Sequence, residues 1–270
     1  MIYQKRPAFR AVVFLLLLSA IFSLGGCYTE KERPAYLPIP GEETSTEETV
    51  TEEPKPTKRV ALTYDDGPNH YDDRTKKIVD ELDKYGYHAT FFVVGNRIAG
   101  GDSVSYAVEK GNEIGIHGYT HTVYYDECTE DDFRYELNMT EQAIQKQVPG
   151  YQVNLMRPVG GKITGHRVET CPYSVILWSV DSEDWDTANR YYTGISDEEA
   201  DARINNIVEN IMSSLSDGDI ILMHDIYEST YDATKILLAR LYAEGYDVVT
   251  VSELFGDGLA KGKIYYSADT

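Results

Sequence analysis

Two histidines four positions apart, His117 and His121, and two consecutive aspartates, Asp65 and Asp66, stand out in this chain of 270 residues. On a helical turn, side chains four apart project from one face, so both imidazoles can reach one cation. Asp65 and Asp66 follow an apolar segment, and two adjacent carboxylates at the rim of a core need a cation to offset them. Neighbouring carboxylates on a turn cannot both ligate one ion in the same way, so one is expected on the metal and the other free as a base. Two histidines and one carboxylate leave coordination positions open, which is the pattern of a catalytic rather than a structural site. Water on such an ion has its pKa lowered from about 15.7 toward roughly 7. The reaction class implied is hydrolysis.

Hydrolysis also needs an acid for the leaving group and donors for an oxyanion. His224 is the candidate acid, following the apolar run Ile220-Ile221-Leu222-Met223. An imidazolium in such surroundings keeps its charge only beside a carboxylate, and Asp181 and Asp184 are available. Arg157 can orient the free aspartate. Backbone N–H groups in the Gly160-Gly161 turn can approach an oxyanion closely, because glycine has no side chain in the way.

The elements that must position these residues alternate. Apolar runs predict seven strands, at 59–63, 89–94, 113–116, 153–156, 174–180, 219–223 and 247–251. Helical spacing links Ile78, Leu82 and Tyr85, then Phe133, Leu137 and Ile144. It recurs at Ile204, Ile207, Ile211 and Leu215, and again at Ile236, Leu237, Leu241 and Tyr242. Such a series implies an α/β fold that closes as a (β/α) barrel, with an open doubly wound sheet as the alternative. The polar clusters all follow the carboxyl ends of strands, where barrels carry their chemistry.

In that order the clusters resemble the polysaccharide deacetylases, the NodB-homology domain or family 4 carbohydrate esterases, over nearly all of 59–255. Thr63-Tyr64-Asp65-Asp66-Gly67-Pro68 is similar to the TFDDGP motif, which implies Asp65 as catalytic base and Asp66 as metal ligand. His117 and His121 match the H(S/T)xxH ligands. Arg157 matches the arginine that positions the base, and Gly160 the residue whose N–H helps form the oxyanion hole. Asp181-Ser182-Glu183-Asp184-Trp185 resembles DxxDW, with Asp184 tuning the acid and Trp185 walling the groove. Leu222-Met223-His224 resembles LxH, a leucine lining the acetyl pocket followed by the general acid. The resemblance implies a distorted (β/α)7 barrel. Two departures are visible. Gly118 stands where the second motif carries Ser or Thr, removing a hydroxyl that stabilises the ligand loop, a loss for which Thr120 is the candidate replacement. The third motif reads Arg157-Pro158-Val159-Gly160-Gly161, losing a tyrosine ring from the groove wall.

The ends set the compartment. Lys5, Arg6 and Arg10 precede an apolar run from residue 11, and Leu24-Gly25-Gly26-Cys27 resembles a lipobox. The expectation is a signal peptide over 1–26, lipidation of Cys27, and attachment to the extracytoplasmic face of a bacterial membrane; an uncleaved membrane anchor is the alternative. Residues 27–58 are rich in Glu, Thr and Pro and read as an extended linker. One domain is expected over 59–255, with 256–270 as a C-terminal tail. A formal charge of −20 and a pI near 4.6 argue against nucleic acid as a partner. The separation of Cys128 from Cys171 excludes a compact cysteine metal knuckle.

The reading that follows is a monomeric, metal-dependent hydrolase that removes N-acetyl groups from N-acetylglucosamine units of a cell-surface polysaccharide, peptidoglycan or a chitin-like glycan. Its cofactor is one divalent ion, zinc first, with cobalt, nickel or manganese admitted by the same donors. Two alternatives stand beside it, an O-acetyl esterase on xylan or another acetylated glycan, and a wall-binding lipoprotein without turnover.

Overall fold

The computed structural model describes residues 58–187, 189–190 and 194–268, so the expected signal segment, Cys27 and the linker up to residue 57 lie outside the described residues. The chain runs β1 (Lys58–Asp65), α1 (Arg74–Tyr85), β2 (Thr90–Val93), α2 (Ser103–Glu109), β3 (Glu113–Ile116) and α3 (Glu130–Gln147). It continues with β4 (Leu155–Met156), α4 (Gly165–Thr170), β5 (Ser174–Ile176), β6 (Val180–Asp181) and α5 (Asp197–Met212). Last come β7 (Ile220–His224), α6 (Glu228–Ala243), β8 (Tyr246–Val249), α7 (Val251–Phe255) and β9 (Ile264–Tyr265). The four helices read from apolar spacing are α1, α3, α5 and α6. Side-chain caps mark where two of them begin: Thr129 accepts from the Asp132 N–H at the start of α3, and Ser196 from the Glu199 N–H at the start of α5.

All the ladders between these strands are parallel, in the order β6-β7-β1-β2-β3-β4-β5-β9. The run expected as one strand over 174–180 is two. β5 pairs with β4 and β9 while β6 pairs with β7, at the opposite end of the order. Residues 177–179 therefore join the two ends of the sheet, and the curl this requires makes the distorted (β/α) barrel. β8 pairs with the first half of β1, on the same edge that β2 takes in the second half. Ala61 has both Ile220 and Val249 as partners, and Thr63 both Leu222 and Thr90, which puts β7 alone on the other side. β9 lies in the stretch set apart as a tail. Its two-residue ladder with β5 is too short for periodicity to reveal.

The period of two along each strand sorts side chains into two layers. Val60, Leu62 and Tyr64 pack outward with Ile78, Leu82, Leu237 and Leu241 of the helices. Ala61, Phe92, Leu155, Ile176 and Ile220 fill a smaller inner cluster. Covering both faces explains why the strands read as continuous apolar runs rather than alternating ones. The inner parity, carried toward the carboxyl ends, runs Ala61, Thr63, Asp65 on β1, Ile220, Leu222, His224 on β7, and Leu155, Arg157 across the end of β4. That progression from apolar to ionisable puts the chemical groups at the top of the barrel interior.

Candidate active site

A cavity of about 370 Å³ opens at that end, and Asp65, Asp66, His117, His121, Gly160, Trp185, Leu222 and His224 all line it. Arg157 and Asp184 lie behind it, both fully buried. Ten expected residues from five separate segments therefore meet at one place; only Cys27 lies outside the described residues.

His121 Nε2 is 2.7 Å and His117 Nε2 3.4 Å from Asp66 Oδ1, and the three donor atoms lie within 4.8 Å of one another. Burial alone would raise the Asp66 carboxyl, but His117 and His121 hold it well below the usual carboxylate range. Asp66 Oδ1 is nevertheless buried without a properly directed hydrogen bond, close as His121 is. A buried oxygen left in that state, facing two ring nitrogens, is a donor set arranged for a cation. His117 Nδ1 lies 2.9 Å from the Arg157 carbonyl oxygen, so Nδ1 carries the proton and the Nε2 lone pair is left for a metal.

The backbone here is strained in a useful way. Asp66 has φ 77° and His121 φ 60°, left-handed conformations that non-glycine residues hold only when surroundings impose them. Arg97 Nη1 donates to the Asp66 carbonyl at 2.5 Å. On the histidine side, Glu136 of α3 is buried and accepts from the Tyr119 N–H at 2.5 Å, the Thr120 N–H at 2.9 Å and Thr120 Oγ1 at 2.8 Å. Gly118, at φ 75°, makes room for this, since a Cβ there would lie 3.1 Å from Glu136 Oε2 and 3.1 Å from the Tyr125 hydroxyl. The hydroxyl missing at position 118 is thus replaced by Thr120 and a carboxylate from another element.

Asp65 is held differently. Arg157 Nη1 donates to Asp65 Oδ1 and to Thr63 Oγ1, both at 2.8 Å, Nε to the Ile176 carbonyl at 3.1 Å, and Nη2 to the Leu177 carbonyl at 3.0 Å. The guanidinium also lies 4.2 Å from the Phe92 ring centroid. Burial pushes the Arg157 pKa down while the Asp65 charge opposes that, and these partners compensate the buried cation. With Oδ1 engaged, Asp65 Oδ2 is the oxygen left toward the cavity, 3.7 Å from His117 Nε2.

Across the cavity, His224 Nδ1 is 2.7 Å from Asp184 Oδ1, while Asp184 Oδ2 accepts from the His224 N–H at 2.7 Å and from Thr230 Oγ1 at 2.6 Å. Burial disfavours charge on His224, but Asp184 outweighs it and the pKa is raised to about 9. The ring therefore carries a proton at neutral pH, with Nε2 left for the cavity. Asp181 takes a different task, accepting from the Trp185 indole N–H at 3.1 Å and so setting the groove wall. Leu222 is buried on the cavity floor. Gly160 and Gly161, at φ 61° and 70°, form a turn that needs glycine.

Several contributors escaped the sequence reading. Glu136 had a signal, an acidic residue on the apolar stripe of α3 between Phe133, Leu137 and Thr140. Thr230 and Arg97 had none, because their partners lie more than thirty positions away.

A sequence model described as polysaccharide deacetylase matches residues 52–171. The peptidoglycan-N-acetylmuramic acid deacetylase PdaC of Bacillus subtilis is 35% identical over 73% of this chain, which spans 38% of that protein's length. A peptidoglycan-N-acetylglucosamine deacetylase of Bacillus cereus is 30% identical, covering 75% of this chain and 91% of its own length. Among solved structures, a family 4 acetyl xylan esterase from Clostridium thermocellum in complex with a cobalt ion superposes with a TM-score of 0.67 at 28% identity, over 79% of this chain and all of that one. This chain belongs to the polysaccharide deacetylase family.

Proposed function

We propose that this protein is a metal-dependent hydrolase that removes N-acetyl groups from N-acetylglucosamine units of peptidoglycan or a chitin-like glycan. The observation that carries the reading is the pairing of two opposed devices on one cavity. One is the carboxylate Asp65 fixed by a buried arginine beside the Asp66, His117 and His121 donors. The other is His224, kept protonated by Asp184. Asp66, His117 and His121 would hold the divalent ion, zinc in our reading, which supplies Lewis acidity toward water and the acetyl carbonyl. Asp65 Oδ2 takes the proton of the attacking water, and Arg157 keeps that oxygen aimed. The Gly160 N–H donates to the developing oxyanion. His224 Nε2 gives its proton to the departing nitrogen, and Leu222 packs against the acetyl methyl.

The same reading puts the enzyme outside the cytoplasm, tethered through a lipidated Cys27 and acting as a monomer on the glycan above the membrane. Its support is the basic start, the apolar run and the Leu24-Gly25-Gly26-Cys27 site. Radiolabelled palmitate incorporation that survives Cys27→Ser would overturn the anchor.

The substrate is tested by acetate release from peptidoglycan, chitooligosaccharides and acetylated xylan, using the full chain with a chelator and Asp65→Asn as controls. Release from the first two supports the proposal. Release from xylan alone makes it an O-acetyl esterase, as the Clostridium thermocellum acetyl xylan esterase is. Binding with no release from any glycan makes it a wall-binding module, and release insensitive to Asp65→Asn rejects the mechanism.

A further inference from the structure

The mouth of the cavity carries an aromatic residue that neither the ligands nor the acid and base need. Tyr124 lies in the loop after His121, is 45% exposed, and lines the cavity with Gly160 and Trp185. Its ring covers the glycine turn, since a Cβ on Gly160 would come within 3.3 Å of Tyr124 Cε1 and 3.8 Å of Cδ1. The Lys162 ammonium stands 5.0 Å from its centroid. The tyrosine is therefore held in place by the very turn whose backbone lines the site. Trp185, 47% exposed, is pinned through its indole N–H to Asp181.

Two flat, amphipathic rings, each half in water and each fixed by a neighbour, flank the entrance. Rings so placed cost little entropy to use and present the surface a pyranose ring fits, with an apolar face on one side and hydroxyls toward water. A side chain on residue 160 would displace the ring. The bare glycine turn and the tyrosine are thus one feature built from two loops, and the aromatic wall that the third motif lacks is supplied by the second.

We propose that Tyr124 is a substrate-positioning and specificity-determining residue that stacks on a pyranose unit of the glycan, seated by Gly160 and Lys162. This rests on the deacetylase reading above. The test compares KM for chitotetraose with KM for 4-nitrophenyl acetate in the full chain and in Tyr124→Ala, Tyr124→Leu and Tyr124→Phe. Loss of the ring raises the oligosaccharide KM about three- to tenfold relative to the ester KM, and Tyr124→Phe keeps the wild-type ratio. Tyr124→Leu, which keeps bulk over Gly160 without a flat face, gives the same reading if Tyr124→Ala does not fold. An unchanged ratio in both, or Tyr124→Phe as impaired as Tyr124→Leu, overturns the proposal. If the wild type releases no acetate from any glycan, the deacetylase reading fails by itself. Calorimetric binding of chitotetraose then decides for Tyr124, with weaker binding by Tyr124→Leu supporting the stacking role and equal binding refuting it.

Discussion

The floor and the mouth of the cavity are built on opposite principles. On the floor, Arg157 and Asp184 are fully buried, and their polar atoms are engaged by Asp65, Thr63, two carbonyls, His224 and Thr230. At the mouth, Tyr124 and Trp185 are half exposed and each is tied down by few contacts. A reacting carboxylate or imidazole has to be aimed and charged before substrate arrives, which requires desolvation and several fixed partners. A sugar face needs only a flat, wettable surface held at the entrance. In the function proposed above, the floor carries the reaction and the mouth the choice of glycan.

This contrast can be broken in five ways, beginning with the largest expected effect and ending with the smallest. Asp65→Asn removes the proposed base and takes from Arg157 its nearest carboxylate, so kcat should fall by roughly a thousandfold, read by acetate release at saturating metal. A residual rate near wild type would remove Asp65 from the mechanism. His224→Ala should cost on the order of a hundredfold in kcat.

The same pair predicts a pH profile. In the proposed mechanism His224 works protonated, so activity should fall as pH rises through about 9. In Asp184→Asn the carboxylate that opposes burial is gone, the pKa drops, and the alkaline limb moves to lower pH. A limb that stays put when kcat is followed against pH would show that another group donates the proton.

Glu136→Gln weakens the acceptor for two backbone N–H groups and Thr120, loosening the strained loop that presents His121. The metal dissociation constant should rise about 10- to 100-fold in a chelator competition, with most of kcat recovered at saturating metal. Unchanged metal affinity would make Glu136 a packing residue. The smallest effect is expected at the mouth, where Trp185→Ala should raise KM for the glycan about three- to tenfold. A loss in kcat as large as that of His224→Ala would erase the distinction between floor and mouth.

The chemical residues were legible because each sits in a compact segment at a strand end. Asp65-Asp66, His117 with His121, and Leu222-Met223-His224 carry type, spacing and strand context together. The apolar runs also announced the barrel, except where 174–180 divides between the two ends of the sheet and where β9 pairs over two residues. Hydropathy records burial, and residues 174–180 carry apolar side chains on both sides of the division. It does not record which partner a strand takes.

What the amino-acid order carried by itself was the candidate donors, the paired aspartates, His224 and Arg157, since those depend on residue type and local spacing, while the resemblance to the deacetylase motifs is what told Asp65 from Asp66. What only the tertiary structure decided was how they are supported. Glu136 reaches the loop of His121 from α3, Thr230 reaches Asp184 from α6, and Tyr124 covers Gly160 from a different loop. These are pairings across long stretches of chain, and they exist because the barrel brings the carboxyl ends of its strands together. The departures at Gly118 and at Val159-Gly160-Gly161 read as losses along the sequence. In three dimensions each is the space that another segment fills.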